Sequence, residues 1–164
     1  MNFDKEALEK KAQKAYHENA LFFKQLKKRI PPNLDEIVLN LHNEAFSKID
    51  CLQCGNCCRS LGPRITDRDI EKLSKYAKLR PSEFSEKYLR IDEDGDYVFK
   101  SMPCPFLGAD NYCSVYAERP KACREYPHTD DRKFFQKLDI TLKNTHTCPV
   151  VFEIVEGLKQ KIRK

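Results

Sequence analysis

The sequence predicts a mainly α protein: a helical domain around an irregular centre, with one small β-hairpin. Three observations carry this expectation. Apolar residues recur at three- and four-residue steps at both ends of the chain, the spacing of one helix face. Asp94-Gly95, a dipeptide that favours tight hairpin turns, separates two short strand-like runs. Residues 101–131 hold Pro103, Pro105, Gly108, Pro120 and Pro127, with no helical or strand period. A length of 164 residues suits one domain.

The elements follow in order. Across residues 3–30, Leu8, Ala12, Ala15, Tyr16, Phe22, Phe23, Leu26 and Ile30 form an apolar face interrupted by Asn19. Pro31-Pro32 stops this helix. Asn33 is placed to cap a second one, with Asp35 and Glu36 in its first turn. Its buried stripe is Leu34, Ile37, Val38, Leu41, Ala45 and Ile49. Two helices joined by Pro-Pro predict an antiparallel pair over 1–50.

Thr66 opens a third helix, with Asp69 as the acidic member of a capping box. Ile70, Leu73, Tyr76 and Ala77 line one side of it. Pro81 starts a fourth, carrying Phe84, Tyr88 and Leu89. Residues 90–93 and 96–100 are the hairpin strands. A helix is expected over 134–143. Thr147 then caps a terminal helix with Pro149 in its first turn, and Val150, Val151, Ile154, Val155 and Leu158 as its buried face. The organisation is a single domain, 1–164: a helical pair at 1–50, a cysteine-bearing core at 51–148 and a C-terminal helix at 149–164.

Composition narrows the function. The net charge is +5. Residues 1–30 hold eight basic against four acidic residues, and residues 151–164 four against two. Both stretches are helical, where solvated faces account for such charge. No basic stripe with interleaved aromatics exists, so nucleic acid is not an expected partner. No run of about 18 apolar residues exists, so no spanning helix is expected. No apolar stretch follows the first charges, so the chain is expected in the cytoplasm with reduced thiols. Eight cysteines there read as metal ligands or redox groups before disulfides.

Cys51, Cys54, Cys57 and Cys58 place four thiols in eight residues. A C-x2-C step turns two sulfurs towards one ion, and Gly55 lets the chain turn sharply. Adjacent side chains diverge, so Cys57 and Cys58 are expected to point apart. The loop then serves two sites or one multinuclear cluster. Cys104, Cys113, Cys123 and Cys148 are loosely spaced and need tertiary structure to converge. Eight thiols suit two four-thiolate centres, an iron–sulfur cluster plus a further site, or one site with spare cysteines. The metal would also staple the irregular middle. Arg59 follows the first cluster, and Arg119 and Arg124 bracket Cys123. These guanidiniums can neutralise thiolates by charge-assisted hydrogen bonds, or bind an anionic substrate or a carboxylate partner.

Together the motifs resemble a known family. Cys51-x2-Cys54-Gly55-x-Cys57-Cys58-Arg59, then Cys104-Pro105-Phe106-Leu107, then Cys113-x2-Tyr116-x2-Arg119-Pro120-x2-Cys123-Arg124-x-Tyr126-Pro127, and finally Cys148, look like the YkgJ-type cysteine-cluster (CxxCxxCC) proteins. The resemblance covers 51–148. It implies a zinc- or iron-chelating domain, with Cys51, Cys54, Cys57, Cys58, Cys104, Cys113, Cys123 and Cys148 as ligands. Flagellin lysine methylases resemble the family in their cysteine cluster, which implies that some members modify proteins. This chain shows no glycine-rich loop after a strand, so that activity stands here as an alternative to metal binding alone.

Three readings therefore stand side by side. One is a zinc- or iron-binding protein, an iron–sulfur cluster included, in which the metal organises the helices. The second, which the resemblance implies, is a metal- or iron–sulfur-dependent enzyme related to the flagellin lysine methylases that modifies a protein or small molecule, with Arg59, Arg119, Tyr116 or Tyr126 near the substrate; an open coordination position would mark it. The third is a binding module presenting the N-terminal helices to a partner, marked by an exposed apolar patch. Among the histidines, His17 and His42 read as packed or solvated. His128 and His146 are alternatives to a thiol as ligands.

Overall fold

The computed structural model describes residues 3–163; Met1, Asn2 and Lys164 lie outside the described residues. The chain is mainly α, with helix over 61 % of it and a single antiparallel hairpin among the described residues. It forms two compact units, Met1–Cys54 with Pro127–Lys164, and Gly55–Tyr126.

In the first unit, α1 (Lys5–Lys28) starts at Asp4, whose carboxylate accepts from the Ala7 amide at 3.0 Å. Leu8, Ala12, Phe22, Phe23 and Leu26 are buried, whereas Tyr16 and Ile30 are exposed. Helix α2 (Leu34–Lys48) follows Pro31-Pro32. Asn33 stands at its cap without a capping side-chain bond. Asp35, in the first turn, instead accepts from the Lys133 and Phe134 amides at 2.8 and 2.9 Å. That bond anchors a 3-10 turn, Phe134–Lys137, which leads into α8 (Leu138–Asn144). The helix expected over 134–143 is therefore a 3-10 turn followed by a short α-helix.

Helix α9 (Pro149–Ile162) has Cys148, not Thr147, at its cap, with Pro149 as its first residue. Its Val150, Val151, Ile154, Val155 and Leu158 are buried. The main partner of α2 is α9, while α1 packs on α8 and α9; the predicted pairing of α1 with α2 is not the principal contact of either. Gly157 explains the close approach: a Cβ there would lie 2.7 Å from Leu41 Cδ2. Buried Lys159 is neutralised by Glu18 at 2.9 Å and Glu156 at 2.7 Å.

The second unit begins at Gly55. Helix α5 (Asp67–Tyr76) carries the predicted capping box: Thr66 Oγ1 accepts from the Asp69 amide, and Asp69 accepts from the Thr66 amide. Helix α6 (Pro81–Tyr88) runs directly into β1 (Leu89–Ile91), which pairs with β2 (Tyr97–Phe99) in the register Leu89 to Phe99. The Asp92 carboxylate accepts from the Asp94 and Asp96 amides, and Gly95 supplies φ +81°. The core is Ile65, Ile70, Leu73, Phe84, Leu89, Phe99, Phe106 and Val115, with Cys104 and Cys113 packed against it. Each such large side chain stabilises by roughly 1.5–3 kcal/mol on burial. Residues 101–131 are mostly irregular as expected, but they contain a 3-10 turn, Tyr116–Glu118, and a short helix α7, Lys121–Glu125.

Candidate metal centre

None of the eight cysteines is held in a disulfide. The first four do not sit on one loop. Cys51–Cys54 form a single helical turn, α3, and Cys57 and Cys58 ride on α4 (Asn56–Ser60). Gly55 joins them with φ +55°, a left-handed conformation that side chains disfavour. At α3, the Asp50 carboxylate accepts from the Leu52 amide at 2.9 Å. Cys57 and Cys58 do not diverge as expected: their side chains share a hydrogen bond.

Within Gly55–Tyr126, four thiols gather from three separate stretches. The Cys104 amide donates to the Cys58 carbonyl at 2.8 Å. Leu107 and Cys113 form an antiparallel bridge, and the Ser114 amide donates to the Phe106 carbonyl at 2.9 Å. Cys123 sits on α7, whose Lys121 amide donates to Asp69 Oδ1 at 3.1 Å. Every pair among Cys58, Cys104, Cys113 and Cys123 lies within electrostatic reach.

Their acidities differ for physical reasons. The Cys57 hydrogen bond, then the charges of Arg59 and Arg119, lower Cys58 to about 6 against the cost of burial. Burial raises Cys123 to about 12, reinforced by Cys58, Cys104 and Cys113. Burial raises Cys104 and Cys113 too, and backbone amides at Phe106, Leu107 and Val115 partly offset it. Such amide-to-sulfur bonds stabilise thiolates.

Cys148 groups differently, with Cys51 and Cys54 in the first unit. Burial raises it to about 12, opposed by the Val151 and Val150 amides of α9 and assisted by Cys51 and Cys54.

The arginines and tyrosines occupy distinct positions. Arg59 hydrogen-bonds to Asn111, a residue with φ +66° that no sequence signal marked. Arg119 lies 4.0 Å from the centroid of the exposed Tyr116 ring. Arg124 donates to the Arg119 carbonyl at 2.8 Å, which braces that segment. Tyr126 caps α7 through its amide. Asp69 is the second missed contributor: its capping role was legible, its hold on Lys121 was not. His42 bonds Thr129 at 2.7 Å, His128 faces Asp131 at 3.2 Å, and the His146 ring lies 5.9 Å from that of Tyr16.

As placed, no three His, Cys, Asp or Glu side chains among the described residues stand at ion-holding geometry. The donors gathered are nevertheless soft thiols, with amides directed at sulfur and guanidiniums beside Cys58. That donor chemistry fits zinc or iron. The family model "CxxCxxCC: Putative zinc- or iron-chelating domain" matches residues 50–149. The chain belongs to the CxxCxxCC family. All eight cysteines lie inside the CxxCxxCC match, and α1 and α2 lie outside it. The chain is also 30 % identical, over 82 residues, to the uncharacterized protein MJ0661 of Methanocaldococcus jannaschii. That likeness covers 48 % of this chain and 44 % of the archaeal protein. No solved structure matches this CxxCxxCC protein.

Proposed function

We propose that the protein is a cytoplasmic metal-binding protein that holds zinc or iron, an iron–sulfur cluster included, on its cysteine thiolates. One observation carries this reading: Cys58, Cys104, Cys113 and Cys123 come from three distant stretches yet all lie within electrostatic reach of one another. Ionising four gathered thiols is unfavourable unless a cation repays it. A four-thiolate divalent site carries a formal charge of about −2, and Arg59 and Arg119 stand beside Cys58 to offset it. The bound metal would supply cross-linking of the irregular segment and, if iron, electron transfer. No helix among the described residues is long and apolar enough to cross a membrane.

Anaerobic purification with metal analysis and an absorption spectrum tests the reading. Brown protein with broad visible absorption identifies thiolate- and sulfide-bound iron. Colourless protein with stoichiometric zinc identifies a closed structural site. Protein that carries no metal and takes up neither zinc nor iron with its thiols reduced overturns the proposal.

A further inference from the structure

The charge expected to solvate α1 is ordered along it. Lys10, Lys14, His17, Leu21, Lys24 and Lys28 follow one another at steps of four and three residues, the spacing that keeps side chains on a single stripe of a helix. All six are exposed, Leu21 at 47 %. The stripe lies opposite the face that buries Leu8, Ala12 and Leu26, and α1 packs on α8 and α9. From Lys10 to Lys28 it runs about 27 Å along the helix axis, and it contains no acidic residue. Glu18, off the stripe, accepts from Lys159 and Arg163. Lys27, beside the stripe, holds Asp139, but among the described residues Lys10, Lys14, Lys24 and Lys28 form no ion pair. All of α1 precedes the matched residues 50–149, so the cysteine pattern does not account for this face.

We propose that this face docks the protein on an anionic lipid bilayer, with α1 lying along the membrane surface. A straight row of four cations meets a plane of headgroups all at once, and each lysine held there strengthens binding about fivefold. Leu21, the exposed apolar side chain near the middle of the row, enters between headgroups and gains by leaving water. The phosphate backbone of a nucleic acid offers Leu21 no apolar partner, and the stripe holds no aromatic ring on which a base could stack. The buried face of α1 is committed to α8 and α9, so the helix cannot roll it into the bilayer as a free amphipathic helix does. Attachment is therefore chiefly electrostatic, reversible and weakened by salt. It does not depend on the metal-binding reading above.

Co-sedimentation of the full-length, reduced chain with vesicles of phosphatidylglycerol and phosphatidylcholine, against vesicles of phosphatidylcholine alone, tests the proposal. The chain should pellet with the mixed vesicles and stay in solution with the neutral ones. Salt at about 1 M, where charge attraction reaches only about 3 Å, should release it. Lys14→Gln with Lys24→Gln should weaken binding about 25-fold. Lys72→Gln with Lys75→Gln, an exposed pair on α5, removes the same charge and should leave binding nearly unchanged. The chain has no Trp, so Leu21→Trp supplies a single indole whose emission should move to the blue on the mixed vesicles. Equal pelleting with neutral vesicles, equal losses from the two lysine pairs, or an unshifted indole each overturn the proposal. Tighter binding to duplex DNA than to the mixed vesicles at the same salt overturns it too, and would make the stripe a nucleic-acid surface.

Discussion

The backbone amide of Cys104 donates to the carbonyl of Cys58 at 2.8 Å, so two thiols far apart in sequence rise from adjoining backbone. This bond brings the Pro103–Pro105 segment to α4, and with it the first donor from the irregular stretch. The acidities around it lead to four predictions.

Thiol reactivity in the metal-free chain should be strongly ordered. The Cys57 hydrogen bond and two arginines hold Cys58 at about 6, so at pH 7 it is roughly nine-tenths thiolate. Cys123 and Cys148, at about 12, stay protonated. Timed iodoacetamide labelling should modify Cys58 well before Cys123 and Cys148. Equal rates at the three sites would contradict the electrostatic picture.

Stability of the metal-free chain should pass through a maximum near pH 9. Cys58 is depressed below its ordinary 9.0, so its contribution is complete above that value and lost as pH falls through about 6. Cys123 and Cys148 are raised, so their contribution is complete below about 9 and lost as pH rises towards 12. Urea midpoints measured with reductant and chelator across pH 5–11 check this. A midpoint that keeps climbing beyond pH 9 would be inconsistent with buried, protonated Cys123 and Cys148.

Loading the Cys58, Cys104, Cys113 and Cys123 set with zinc should release protons. Near pH 7.5 Cys58 is already ionised, while Cys104, Cys113 and Cys123 are shifted upwards. About three protons should therefore leave per zinc at this set. Calorimetry in buffers of different ionisation enthalpy counts them. Release near zero would mean that these thiols are not the ligands.

Asp69→Ala should cost about 2–3 kcal/mol. The buried carboxylate accepts from the Thr66 amide at 2.9 Å, the Thr66 hydroxyl at 2.7 Å and the Lys121 amide at 3.1 Å. Removing it uncaps α5 and leaves the Lys121 amide without its acceptor. Because Lys121 opens the helix that carries Cys123, metal affinity should fall as well. Urea denaturation and competition with a chromophoric chelator read the two effects. A loss under about 0.5 kcal/mol would remove Asp69 from the support of Cys123.

Much of the fold was legible because its signals are local. Thr66 with Asp69, Pro81, Asp94-Gly95 and Pro149 each act over a few residues, and each stands where the sequence put it. Asn33 shows the limit: it occupies the cap position, but Asp35 forms the tertiary bond to Lys133 and Phe134. The partner of α2 was illegible for a similar reason. An apolar stripe encodes that a face is buried but not against what, and the small Gly157 admits Leu41. At the site, the spacing of Cys51 to Cys58 showed a thiol cluster. It did not show that Gly55 breaks it into two helical turns, or that Cys57 bonds to Cys58.

The sequence by itself determined the helix-rich architecture, the single hairpin and the thiol-rich family pattern, since periodicity, caps and short spacings are properties of neighbouring residues. Only the tertiary structure decided which thiols keep company. Cys58 and Cys104 are far apart in sequence, and Cys104, Cys113 and Cys123 follow one another along mostly irregular chain whose length sets no distance. Backbone bonds such as Cys104 to Cys58, and burial against the Phe84–Phe106 core, set that distance instead. The same burial that gathers the thiols makes Cys104, Cys113 and Cys123 weaker acids, and the hydrogen bond from Cys57 makes Cys58 a stronger one.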